Sequence, residues 1–251
     1  MDIKKRFPVA MLVKRPSLAL ERGTNPLSEH PPERIFLAPA ITVAVAASMP
    51  ILYLLQTRLP DGGLSLAFVP ATLWAGGWWP GLLTSMFLHW GWSHVAMNAV
   101  GAFAFGPPIA RLMVGPKGVA GFLIFYVLCG LVAAAGYSLV HPDSRNILVG
   151  ASGAVFGLMG AAMRRLGRKK LGGLRALGDK RFLTTAGAVM AVNAATGLVG
   201  LAPGMTGVQV AWEAHAFGFI FGALLIGPWA RLFGPAPSAF DSPDVLRDPE
   251  G

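Results

Sequence analysis

The chain is divided into long apolar runs that carry almost no charge, and that pattern decides which kind of fold is open to it. Six runs stand out, approximately residues 35–56, 85–106, 118–140, 147–163, 182–200 and 212–233. About 20 apolar residues in a helix cross a bilayer core. The runs are continuous rather than alternating, and too long for membrane strands. Only 13% of the 251 residues are charged and 54% are hydrophobic, whereas a soluble domain carries roughly 25% charged residues. The expectation is an all-α polytopic membrane protein, a single bundle of six transmembrane helices. The fourth run is the shortest and is rich in Gly and Ala, which suits a helix inside the bundle.

The remaining charges orient that bundle. Lys4, Lys5, Arg6, Lys14, Arg15, Arg22 and Arg34 precede the first run, and Arg164, Arg165, Arg168, Lys169, Lys170, Arg175, Lys180 and Arg181 lie between the fourth and fifth. The other side holds only Arg58 and Arg145. The positive-inside rule then predicts both termini in the cytoplasm. Residues 1–34 read as a cytoplasmic segment, 35–233 as the membrane domain, and 234–251, rich in Pro and Asp, as a disordered cytoplasmic tail. The net charge of +9 is on this reading a topology signal. A nucleic-acid partner is not expected, because the basic residues flank spans and carry no interleaved aromatics. Residues 1–34 hold no apolar run suited to a cleavable signal peptide, and the simple topology fits a bacterial inner membrane. Cys129 is the single cysteine, which leaves no internal disulfide and no cysteine cluster. No cofactor is expected, and no metal.

In this orientation the second, fourth and sixth runs all enter from the outer face. They bring His94 and Asn98, Ser152, and His215 to a similar shallow depth, with Ser152 about five residues into its run and His215 in the first turn of its own. Lipid offers no water to satisfy such groups, so each needs a partner or a task. His94 and Asn98 are four apart and share a helical face. Gly153 and Gly157, and likewise Gly218 and Gly222, have the spacing that lets helices approach closely. Close approach of these two runs would bring the Ser152 hydroxyl to the His215 imidazole, a weak nucleophile beside a base that titrates near neutrality.

Plainer readings stand beside this one. Ser152 could pack, or bond back to its own turn. His215 could cap a loop, and Asn98 could join two helices. His89, five residues before His94, faces elsewhere and ties down the preceding loop. Asn193 has no matching partner and reads as structural, and His30 and His141 lie in loops. Trp74, Trp78, Trp79, Trp90 and Trp92 mark the outer interface belt. A metal-handling protein or transporter using His89, His94 and His215 would want closer ligand spacing, intramembrane acids or an internal repeat.

These residues resemble those of the rhomboid intramembrane serine proteases. The likeness rests on Gly150-Ala151-Ser152-Gly153, on Ala214-His215 followed by Gly218 and Gly222, and on Leu83 to His89 continuing as His-x4-His-x3-Asn through His94 and Asn98. It runs from about Trp79 to Gly222. It implies Ser152 as nucleophile and His215 as general base, a dyad with no third carboxylate. It implies an oxyanion hole of His94, Asn98 and the Ser152 N–H, with His89 structural in the first outer loop. The implied partners are transmembrane protein substrates, cut within or near a membrane span, and the surrounding lipids. A non-catalytic relative that binds membrane helices is the alternative. Phe156 stands where the family commonly has a Tyr stacked on the histidine; it keeps the face and loses the hydroxyl. Pro80-Gly81 replaces a Trp-Arg pair, and no seventh span follows.

Overall fold

The computed structural model describes residues 39–113, 115–166, 173–200 and 210–234. The N-terminal segment, the tail beyond Gly234, the basic residues Arg168, Lys169 and Lys170, and residues 201–209 lie outside the described residues. Helices α1 (Ala40–Gln56), α2 (Pro70–Gly76), α3 (Gly81–Thr84), α4 (Trp92–Ala110), α5 (Gly115–Val140), α6 (Ser152–Arg165), α7 (Lys180–Val199) and α8 (Trp212–Phe233) follow in order. Among the described residues no strand forms. The extended pairing is an isolated antiparallel bridge between Phe68 and Leu148. The fold is all-α.

Each of the six apolar runs contains one of the long helices. By length and composition, α5, α7 and α8 can cross a membrane, at 26, 20 and 22 residues. The shorter α1 and α4 have 17 and 19 residues. α6 has only 14, a rise of about 21 Å against a core of about 30 Å.

Two helices start later than the apolar runs do. α4 begins at Trp92, not near 85, because Ser85–Phe87 forms a separate 3-10 turn and Gly91 is fully extended. His89 therefore sits before the helix. α6 begins at Ser152, not near 147, because Leu148 pairs with Phe68 and the Gly150 N–H donates to the Ser85 carbonyl at 2.8 Å. Ser152 is consequently the first helical residue rather than one five residues in. Non-helical backbone at such depth is tolerated where protein surrounds it or a wet cavity meets it.

α6 is the hub, with α4, α5, α7 and α8 all packed on it. Lipid tails are as apolar as leucine, so helices in a membrane associate through close packing rather than by escaping water. The α6–α8 seam shows this. A Cβ on Gly218 would strike the carbonyl oxygen of Gly153, and one on Gly222 would strike that of Gly157. Below the seam, Phe125, Leu158 and Ile226 are fully buried.

α7 is attached differently. Its buried residues are Phe182, Asn193 and Gly197, while Leu183, Val192, Leu198 and Val199 face outward. At its start the Asp179 carboxylate accepts the Phe182 N–H at 3.0 Å and pairs with Arg175 at 3.3 Å. At its C-terminal end Gly200 closes the helix at a φ of 73°, a left-handed conformation that suits glycine.

Candidate active site

The Ser152 Oγ lies 2.8 Å from His215 Nε2. The seam explains the distance: glycine against carbonyl holds the first turns of α6 and α8 at backbone contact. Phe156, one turn into α6, stacks on the His215 ring at 4.2 Å between centroids and 7° between planes. It supplies the face expected of it. The imidazole is thus fixed by a neighbour on one flat side and a hydroxyl at one edge.

His94 and Asn98 are both buried on α4 and line the same cavity as Ser152 and His215. The Trp90 N–H points at His94 Nδ1 from 3.4 Å, so Nδ1 accepts and the ring proton belongs on Nε2. That edge of the ring faces the serine turn: a Cβ on Gly150 would come within 2.7 Å of Nε2. Gly150 also has a φ of 120°, so no larger residue suits this corner on either count. The Asn98 amide nitrogen donates to the His94 carbonyl at 3.0 Å. At the start of α6, backbone N–H groups lack a helical partner and carry partial positive charge, and the Ser152 N–H is among them. Donors on α4 and at the start of α6 therefore line one cavity with the Ser152 hydroxyl.

His89 is held by its backbone. Gln56, the last residue of α1, accepts the His89 N–H at 2.8 Å and donates to its carbonyl at 3.0 Å. The buried ring packs edge-on to His94 at 5.1 Å, and neither of its nitrogens has a protein hydrogen-bond partner. Gly81 packs under the backbone of Phe68, where a side chain would clash with the Ala67 carbonyl, so the Pro80-Gly81 pair shapes the connection between α1 and α4. Trp74, Trp78, Trp79, Trp90 and Trp92 are all exposed.

The cavity has a volume of about 1200 Å³ and reaches from this cluster along α7 to Met163 and Thr185. At its mouth His141 Nε2 and Glu213 Oε1 are 3.2 Å apart, so His141 is not an inert loop residue. Asn193 also has partners, contrary to the expectation. Its Oδ1 is 2.8 Å from His215 Nδ1, and its amide nitrogen donates to the Trp212 carbonyl at 2.8 Å. One signal was available for it. Asn193 lies six residues before the C-terminal end of α7 and His215 in the first turn of α8, so the two polar residues flank the same connection.

Helical spans around a part-buried Ser–His contact, open to a cavity, define a class: integral membrane proteins that carry a polar site between their helices. The rhomboid domain family matches residues 75–231, and the chain belongs to the rhomboid family. It is 38% identical over 85 residues to the putative rhomboid protease YdcA of Bacillus subtilis, which covers 34% of this chain and 40% of YdcA. It is 38% identical over 87 residues to the chloroplastic RHOMBOID-like protein 9 of Arabidopsis thaliana, covering 35% of this chain and 18% of that protein. With rhomboid protease GluP of Bacillus subtilis it shares 33% over 88 residues, or 35% of this chain and 16% of GluP. The matched stretch thus spans two fifths or less of each relative's length.

Proposed function

We propose that this chain is an intramembrane serine endopeptidase that cuts membrane proteins within or near a transmembrane segment. The observation that carries the reading is the 2.8 Å contact between the Ser152 hydroxyl and His215 Nε2. Names of relatives that include the word protease support it. Ser152 attacks the scissile carbonyl while its proton passes to His215 Nε2. The oxyanion takes hydrogen bonds from His94 Nε2, Asn98 and the Ser152 N–H. His215 returns the proton to the leaving amine, and water then hydrolyses the acyl-enzyme by the same route in reverse roles.

Water reaches Ser152 through the cavity, because α6 is too short to carry the serine to the membrane surface. A substrate helix must unwind to offer its carbonyl, so helix-breaking residues near the cut favour cleavage. All six long helices are spans in this reading, residues 35–233 form the membrane domain, both termini face the cytoplasm, and the membrane is a bacterial inner membrane.

Reconstitution into liposomes with a single-span substrate carrying a Gly-Pro pair near its outer end tests the proposal. Wild type is expected to cut near that pair, and Ser152→Ala to leave the substrate whole with its fold intact. Cleavage by Ser152→Ala at the wild-type rate would remove the serine from the mechanism. An intact substrate with a well-folded wild type would leave the chain a binder of membrane helices.

A further inference from the structure

α7 turns its one buried amide towards the site, and two contacts fix which way round that amide lies. The Trp212 carbonyl oxygen can only accept a hydrogen bond, so the Asn193 nitrogen must face it, at 2.8 Å. Reversing the amide would set two oxygens against each other. Oδ1 therefore faces His215 Nδ1, also at 2.8 Å, and an amide oxygen can only accept. Nδ1 then carries the ring proton, which leaves Nε2 bare towards the Ser152 hydroxyl. That is the tautomer a general base needs. His94 shows the opposite choice, with a backbone donor on Nδ1 and hence its proton on Nε2.

Burial makes the assignment firm. Asn193 is 6% exposed, and a buried amide that gave up either bond would be left unsatisfied in an apolar setting. One turn on, Gly197 brings α7 flat against the Trp212 side chain, which holds the amide in register with the first turn of α8. A neutral amide also suits the span, since it orients an imidazole without the cost of a buried carboxylate.

We infer that Asn193 is a positioning residue that sets the tautomer and plane of His215 from α7, so that the working unit is Ser152, His215 and Asn193. The inference rests on the reading of Ser152 and His215 as a reactive pair. Asn193 touches neither substrate nor the reacting atoms; it acts through the ring.

The test combines nitrogen NMR of histidine-labelled protein with the rate of fluorophosphonate labelling at Ser152. In wild type, the signal missing from His215→Ala should show the proton on Nδ1. Asn193→Leu, nearly isosteric, should shift His215 towards the Nε2-protonated form and slow labelling about tenfold, the scale of one neutral hydrogen bond, with the protein still folded at the assay temperature. Asn193→Asp keeps an acceptor for Nδ1 but sets a carboxylate oxygen against the Trp212 carbonyl, so it should keep the tautomer while lowering the unfolding temperature. A wild-type His215 protonated on Nε2 would overturn the inference and needs no variant to fold. So would an Asn193→Leu protein with unchanged tautomer, whether its labelling is unchanged or falls only in step with lost folded protein. If wild type labels in a His215-dependent way while the Asn193 variants change nothing, only the role of Asn193 falls. A well-folded wild type that does not label brings down the reactive pair, and the inference with it.

Discussion

α8 meets its two site-bearing neighbours in opposite ways. Along α6 the closest approach is glycine against backbone, with Gly218 and Gly222 lying against the carbonyls of Gly153 and Gly157. Along α7 it is made of side chains, with Asn193 bonded to His215 and Trp212 and the Trp212 ring laid over Gly197. Backbone contact allows one separation, and it sets how far Ser152 stands from His215. Side-chain contact allows adjustment, and it sets how the ring is turned. Ser152 is thus held by the stiff seam and the His215 ring is aimed by the soft one.

Breaking the stiff seam should have the largest effect. Gly222→Val drives two methyl groups into the Gly157 carbonyl, and overpacking alone typically costs about 1–3 kcal/mol. With backbone as the obstacle, no side chain can yield. The expected result is loss of monodisperse protein on size-exclusion chromatography and no cleavage; a stable, active Gly222→Val protein would show that the seam is looser than its geometry implies.

A smaller effect is expected where α6 reaches the ring through a side chain. Phe156→Ala removes a parallel stack of a kind worth about 0.5–1.5 kcal/mol. It should slow cleavage by about two- to tenfold while the fold survives. Phe156→Tyr keeps the same face and should stay near the wild-type rate.

The smallest effect sharpens the picture of how α7 is anchored. The N–H of Phe182, and after it the charge of Arg175, hold the Asp179 carboxyl below its ordinary value of 3.8. A carboxyl depressed in the folded state contributes stability that is fully present above its unfolded value and is lost as pH falls through the folded one. Thermal unfolding followed from pH 6 downward should therefore show the bundle weakening below about pH 4. In Asp179→Asn, which keeps a capping acceptor but cannot titrate, that acid-dependent part should be absent.

The sequence made the helices legible where an apolar run and a helix coincide, as for α8, and misled where they do not. Leu88, Ile147 and Leu148 are as apolar as any helix residue, yet they belong to extended segments folded into the outer loop. Hydropathy cannot tell these apart. The glycines could have: Gly91 and Gly150 mark where the two helices are delayed. Ser152 and His215 were legible because polar residues at matched depth are rare. Asn193 is not legible in this way, because its partner is the Nδ1 edge of the His215 ring, whose other edge already meets Ser152. Which nitrogen of a histidine faces which neighbour is written in three dimensions only.

Active-site labelling in detergent decides whether His215 activates Ser152. A fluorophosphonate should mark wild type at Ser152, as located by mass spectrometry, and should fail on both Ser152→Ala and His215→Ala. Equal labelling of His215→Ala and wild type would mean that the 2.8 Å contact is packing alone.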